Sequence, residues 1–279
     1  MANNITKASK YVPYLDEAYL AAAKTSVLDT TREIEYIEKA GTFLVPDIEF
    51  DGLGDYDRTN GYSKGSVKNN YTPYTCDYER GKMLGVDVMD DEEAQGLLFA
   101  NIAGTFVQKK VGPEVDAYRF AKYASIEGVK VVNETIAAGG EIAALRQAIT
   151  HMNDNNVAMA DRYLFAPHGF IGAIEDLDTT KSKKVLDSFA GVITVSPQEF
   201  KTAITLGNNG YTFPEGAKDI NFMVIQKDAV MQITRHATPK IISHEVNQTS
   251  DEDLDGYRII GLNNVYKNKK NGVYVSVSE

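Results

Sequence analysis

Thr42-Phe-Leu-Val-Pro-Asp-Ile-Glu-Phe-Asp51 and Tyr74-Thr-Cys-Asp-Tyr78, separated by the polar stretch from Gly52 to Gly65 and the residues that follow it, decide how this chain is read. In the first segment Ile48 and Phe50 alternate with Asp47, Glu49 and Asp51, and a period of two marks a half-exposed strand. Alternation resumes at Tyr74, Cys76 and Tyr78, and the intervening Gly52 to Gly65 stretch holds four glycines. The pattern predicts one long two-stranded hairpin arm. An isolated two-stranded ribbon is marginal in water, and this one carries an apolar face. Something outside the ribbon has to cover Ile48, Phe50, Tyr74 and Tyr78.

Downstream of the arm, Asp90-Asp-Glu-Glu93 supplies first-turn acids for a helix whose Ala94, Leu98, Ile102 and Phe106 recur every four positions. Continued to Ala124 it would run roughly 35 residues and about 50 Å, long enough to act as a strut. Pro113, after Gly112, removes a backbone donor and is expected to kink it. Upstream, residues 10–39 read as helix and connecting loop, with Tyr11, Tyr14, Leu15, Ala18 and Ala22 on one face. From Gly140 short helices and strands alternate: an amphipathic helix with Ile142, Leu145, Ile149 and Met152 on one side, a strand at 163–166, a helix carrying Phe170, Ile174 and Leu177, and a short buried strand at 192–195. The last third is strand-rich, at 220–225, 230–234, 257–262 and 273–277, with Asn271-Gly272 as a hairpin signal. The class is α+β.

Composition narrows the function. With 43% apolar and 24% charged residues the chain is ordinarily globular. A single cysteine, Cys76, forbids an internal disulfide and suits a reducing compartment. No run approaches the ~18 apolar residues of a membrane span, and the first residues lack a signal-peptide core. A net charge of -10 disfavours a grip on phosphate backbones.

The motifs that suggest chemistry fail on context. Gly61-Tyr-Ser63-Lys-Gly65 matches the nucleophile-elbow pattern, yet that device needs a buried strand before it and a helix after it, and loop surrounds it here. Asp251-Glu-Asp253-Leu-Asp255-Gly256 begins like a calcium loop, but Leu262 stands where the bidentate Glu belongs; a solvated acidic loop is the better reading. The histidines at 151, 168, 236 and 244 show no ligand spacing. Gly52 and Gly54 open a dinucleotide fingerprint that Asp57 breaks. No catalytic, cofactor-binding or metal residue is assigned.

The order of arm, hairpin, kinked helix, mixed region and strand-rich end resembles the Hong Kong 97-type shell fold of tailed-phage major capsid proteins. Lys7-Ala-Ser-Lys-Tyr-Val-Pro-Tyr-Leu-Asp16, Asp51-Gly-Leu-Gly-Asp-Tyr56, Val86-Asp-Val-Met-Asp90, Glu114-Val-Asp-Ala-Tyr-Arg-Phe-Ala-Lys122, Asp176-Leu-Asp-Thr-Thr-Lys181 and Asn221-Phe-Met-Val-Ile225 are similar to coat-protein segments, across nearly the whole chain. The resemblance implies residues 1–40 as an N-terminal arm, 41–82 as the extended hairpin loop, 83–141 as a peripheral domain with the spine helix, 142–246 as the axial domain, and 247–279 as a return to the peripheral domain. It implies a non-enzymatic virion subunit, assembled in the host bacterial cytoplasm into pentamers and hexamers. These would form an icosahedral shell around double-stranded DNA that is held non-specifically, with no membrane partner. Because the match begins within the first ten residues, a separate scaffolding protein is expected, together with a portal. Ile48, Phe50, Tyr74 and Tyr78 are the expected subunit-interface residues, with Lys64 and Lys68 in the loop that cross-links neighbours in some members. No cross-linking motif accompanies those lysines, so non-covalent closure is expected. An encapsulin-like cellular compartment, enclosing an enzyme cargo, is the alternative; a hydrolase using Ser63 is the weaker third.

Overall fold

The computed structural model describes residues 19, 22–30, 35–37, 42–56, 58–59, 61–87, 104–177, 180–236 and 240–279. They fall into two compact units, residues 31–77 and the remainder.

In the smaller unit β1 (Glu35–Ile37), β2 (Thr42–Phe50) and β3 (Val67–Thr75) form an antiparallel sheet in that order. Register runs from Thr42↔Thr75 to Phe50↔Val67. The expected two-stranded ribbon therefore has a third strand, at residues the sequence reading assigned to helix and loop. Residues 51–66 connect β2 to β3, and Gly61 takes a positive φ of 80° that favours glycine.

The larger unit begins with a 3₁₀ turn, Lys24–Leu28. Tyr11, Tyr14, Leu15 and Ala18, expected on the N-terminal helix, lie outside the described residues. β4 (Tyr78–Asp87) follows the small unit. Residues 91–103 of the expected strut are also outside the description, but from Gly104 the chain is helical, with a π turn at Val107–Val111 leading into α1 (Gly112–Ser125). Pro113 has no N–H and its ring crowds the carbonyl of Lys109, and the wider turn before it relieves both.

Next come β5 (Lys130–Asn133), α2 (Glu141–Asp154), β6 (Arg162–Pro167), α3 (His168–Glu175), α4 (Thr180–Leu186) and β7 (Gly191–Val195). The small hairpin β8 (Thr205–Gly207) and β9 (Gly210–Thr212) precedes β10 (Ile220–Gln226), β11 (Val230–His236), β12 (Lys240–Ile242), β13 (Glu252–Val265) and β14 (Val273–Val277).

One sheet has the order β5-β14-β10-β6-β7 and is mixed: β5 and β14 are parallel, as are β6 and β7, while β10 runs against both its neighbours. Phe165, Met223, Ile225, Val273 and Val275 pack on one face with Phe120 and Tyr123 of α1. The alternate residues Leu164, Ala166, Phe222, Val224 and Tyr274 pack on the other with Ala144, Leu145, Ala148 and Met152 of α2. Burial on both faces is why these strands read as continuous apolar runs. β7 is instead an edge strand with alternating exposure, which corrects the expectation that it is buried.

In the second sheet β13 pairs with β4 on one side and with β11 and β12 on the other. Asn271-Gly272 makes no hairpin, since β13 and β14 belong to different sheets and residues 270–272 form a 3₁₀ turn between them. A Cβ on Gly272 would sit 2.5 Å from that of Ala229, so close packing, not a hairpin turn, requires glycine there.

Arg119 of α1 joins these parts. Its side chain is fully buried and donates through Nε to Asn263 (2.9 Å) and through its terminal nitrogens to Tyr19 (2.7 Å), Thr25 (2.8 Å), Asp29 (3.4 Å) and Thr234. Asp116, one turn earlier, accepts from the backbone N–H groups of Lys24 (2.6 Å) and Thr25 (3.0 Å) and from the Thr25 hydroxyl. Burial pushes the Tyr19 phenol up to about 12, so it remains a neutral acceptor for Arg119. Arg119→Met removes the cation from beside buried Asp116 and half-buried Asp29 and leaves its buried acceptors unpaired, and is expected to cost about 3–5 kcal/mol. Urea unfolding of the full chain checks this, and a loss under about 1 kcal/mol, the scale of an exposed ion pair, would show that the cluster does not depend on it.

Candidate assembly surface

Antiparallel register settles which residues of the arm share a face, because directly paired residues lie side by side. Ile48 and Phe50 belong with Val67, Tyr71 and Pro73, whereas Tyr74 is paired with Phe43 and belongs with Lys68 on the opposite face. The single apolar face expected from the sequence is therefore two half-faces. Tyr78 lies beyond the arm altogether. It opens β4, is 3% exposed and packs with Val107, Val111, Val115, Tyr257 and Ile259. Its hydroxyl donates to Glu114 at 3.0 Å, and burial beside that carboxylate raises its pKa strongly.

The face of Phe50 is uncovered among the described residues. Phe50 is 71% exposed, and Val67 and Tyr71 are also exposed. The connecting loop adds Leu53, Tyr56 and Tyr62, the last two stacked edge to face with centroids 4.9 Å apart. Among the described residues, six of the twelve exposed large apolar side chains thus fall between Phe50 and Tyr71. Isolated exposed apolar residues are ordinary, but such a concentration marks an interaction surface. Lys64 is exposed in the same loop and Lys68 on β3. Sequence reading missed Val67 and Tyr71 because Lys68-Asn-Asn70 between them hides the alternation.

Ser63, the literal elbow serine, is exposed in this loop with no helix after it. A Cβ on Gly54 would stand 2.2 Å from its hydroxyl, so the close approach of the two legs of the loop requires glycine there.

In the larger unit a cavity of about 570 Å³ opens between β4, the π turn, the start of α1, β13 and the β8–β9 hairpin. Tyr78, Phe106, Tyr211 and Tyr257 give it aromatic walls, while Lys82, Lys109 and Lys110 supply cationic edges. Arg80 donates to Glu114 at 2.8 Å and to the Gly207 carbonyl at 2.6 Å. Lys82 reaches the side chain of Asn209 at 3.1 Å. These bonds hold the β8–β9 hairpin over the cavity. Burial raises the Tyr211 phenol and the Glu199 carboxyl on the same wall.

The acidic stretch 251–256 is a strand, not the expected solvated loop, because most of it pairs with β4 and β12 as the start of β13. Asp255 is buried, with its pKa raised by that burial. Among the described residues no group of three or more His, Cys, Asp or Glu side chains could hold a metal ion. No described helix is long and apolar enough to cross a membrane.

No family model matches the sequence, and no curated protein matches it either. The structure, however, has clear counterparts. A virus-like particle from Pyrococcus furiosus aligns over 95% of this chain and 99% of its own, with a TM-score of 0.59 at 14% identity. The bacteriophage PhiM1 mature capsid aligns over 90% and 89%, with 0.58 at 10%. The head structure of Helicobacter pylori bacteriophage KHP40 aligns over 92% and 90%, with 0.58 at 12%. The chain has the Hong Kong 97-type capsid fold.

His244 sits against a carboxylate: Asp253 accepts from its backbone N–H at 2.6 Å and lies 3.0 Å from its Nδ1. That hydrogen bond, with the charges of Asp253, Asp251 and Glu245, raises its pKa above the ordinary 6.5. A raised histidine pKa means that the contact's contribution is complete below pH 6.5 and is lost as pH rises through the shifted value. NMR titration is expected to show His244 protonating above 6.5, and Asp253→Asn to return it toward 6.5. A native midpoint at or below 6.5 contradicts this.

Proposed function

We propose that this chain is a structural shell subunit that self-assembles into pentamers and hexamers, forming an icosahedral virion head around double-stranded DNA. The carrying observation is the arm, a separate unit of capsid-fold protein that leaves Phe50, Leu53, Val67 and Tyr71 turned to solvent. A subunit that lays such an arm on its neighbour makes a heterologous contact, and heterologous contacts close into rings. Phe50 and Ile48, with Tyr74 on the other face and Lys64 and Lys68 at the rim, are the interface residues of this reading. The regions implied by the resemblance, with arm 1–40, hairpin 41–82, peripheral 83–141 and 247–279, and axial 142–246, remain its working division. The acidic balance of -10 suits a container whose wall does not bind the genome tightly. A separate scaffolding protein and a portal complete the assembly, which takes place in the host bacterial cytoplasm.

The Pyrococcus furiosus particle favours a second reading, a cellular compartment of encapsulin type, since it aligns over 99% of its length. Contents separate the two: nucleic acid in purified particles supports the virion, and a protein cargo supports the compartment.

Purified chain, alone and with a scaffolding partner, is expected to form rings or shells as concentration rises. Sedimentation that finds only monomer at every concentration refutes the proposal. Hydrogen exchange should find the amides of residues 43–78 poorly protected in free subunits and well protected in particles, and equal protection in both states counts against the arm as the interface. Ser63→Ala should assemble like the native chain; a hydrolytic activity abolished by that single change would support the enzyme reading instead.

A further inference from the structure

We infer that Asn209, at the tip of the β8–β9 hairpin, is a self-modifying site, at which the backbone nitrogen of Gly210 displaces the side-chain nitrogen as ammonia with Lys82 as the activating cation. The product is a carboxylate where the chain is made with a carboxamide. The inference concerns the larger unit alone and does not depend on the shell reading.

Asparagine followed by glycine is the pair best suited to this step, because glycine has no Cβ to shield or stiffen the attacking nitrogen. The sequence has three such pairs, Asn60-Gly61, Asn209-Gly210 and Asn271-Gly272, of which Asn60 lies outside the described residues. The fold treats the other two differently. Gly272 is buried, its N–H donates to the Lys269 carbonyl at 2.9 Å, and the Asn271 amide donates to Asn155 at 2.9 Å. Nitrogen and carboxamide are both engaged elsewhere, in a turn packed against Ala229. Asn209 is exposed, and a Cβ on Gly210 would meet nothing within 4 Å. β8 and β9 are three residues each, joined by Asn208 and Asn209. A ribbon that short opens locally, which frees the Gly210 N–H for reaction.

Lys82 supplies the activation. Its ammonium donates to Asn209 Oδ1 at 3.1 Å and to the Asn208 carbonyl at 3.4 Å. A cation there draws electron density from Cγ and stabilises the oxyanion that forms as the nitrogen adds to it. Gly210 N gives its proton to hydroxide, the N–Cγ bond forms, the Cγ–Nδ2 bond breaks, and ammonia leaves with a proton from water, closing a cyclic imide. Water then opens the ring. Attack at Cγ gives aspartate at 209; attack at the main-chain carbonyl gives isoaspartate, with the chain routed through the side-chain carbon. The net exchange is ammonia out and water in. The aspartate carboxylate forms beside Lys82, so an ion–dipole contact becomes an ion pair and the hairpin is held more firmly over the cavity. The isoaspartate lengthens the main chain at the turn and loosens the same hairpin.

The test holds the full native chain at mildly alkaline pH in water enriched in heavy oxygen and follows each asparagine by peptide mass spectrometry, with isoaspartate detected by enzymatic methylation. Asn209 should gain the mass of an aspartate and the oxygen label about tenfold faster than Asn271, a difference of ~1.4 kcal/mol in barrier. In urea, where the fold no longer separates them, the two pairs should convert at equal rates. Lys82→Met should slow conversion at Asn209 by about fivefold and leave Asn271 unchanged, while Lys82→Arg, which keeps the cation, retains most of the native rate. Circular dichroism should stay native in both variants because Lys82 is exposed. Equal rates at Asn209 and Asn271 in the folded chain overturn the inference, as does a Lys82→Met chain that converts at Asn209 as fast as the native one.

Discussion

A guanidinium held wholly away from water organises the larger unit. Burying a charge is expensive unless its donors are satisfied, and Arg119 meets that demand with groups from stretches far apart in sequence: Tyr19, Thr25 and Asp29 before the arm, Thr234 on β11 and Asn263 on β13. Each donor direction fixes one element against α1. A lysine could not replace it, since a single ammonium lacks the planar fork that reaches several acceptors at once. Asp116 fastens the same N-terminal turn from the preceding helical position, and at Gly112 a Cβ would come within 2.9 Å of Ala22, so backbone and network act together.

That network was invisible in the sequence, for a physical reason. Arg119 sits on a helix face among Val115, Phe120 and Tyr123, and nothing local distinguishes it from a solvated cation. The elements themselves were more legible. Ile220 to Ile225 and Val273 to Val277 read as strands because both sheet faces are buried, and α2 read as a helix because only one of its faces is. The arm was legible as a hairpin, but its limits were not: period-two alternation runs on through Cys76 and Asp77 to Tyr78 although the chain there leaves one sheet for another. Acidic composition misled at 251–256, where carboxylates find partners or burial within a strand. The cavity could not be foreseen, because its walls are gathered from residues near 80, 110, 210 and 257, and no spacing rule spans such distances.

The two units divide the hydrophobic effect unequally. In the larger one, both faces of the mixed sheet and one face of the other are covered by the chain's own helices and turns. In the smaller one, Phe50, Val67 and Tyr71 remain in water, and in the proposed assembly their burial comes with association. In that reading the attraction works against the mutual repulsion of subunits that each carry a charge of -10. Salt shortens the range of that repulsion, to about 10 Å at 0.1 M, and leaves apolar burial largely intact. Ionic strength is accordingly a natural control on when subunits meet.

β14 occupies a position with consequences for synthesis. It lies between β5 and β10, every one of its residues is buried, and it is the last made of the five strands in its sheet. Until Val277 has left the ribosome, β5 has no partner in that sheet and β10 has one bare edge. A growing chain, or one released early by a truncated message, therefore keeps an open seam through its core and cannot hold α1 and α2 on opposite faces of a closed sheet. Since domains fold as units during synthesis, the mixed sheet becomes one rigid layer only once β14 has taken its place between β5 and β10, and a chain lacking that strand offers its unpaired edges to proteases.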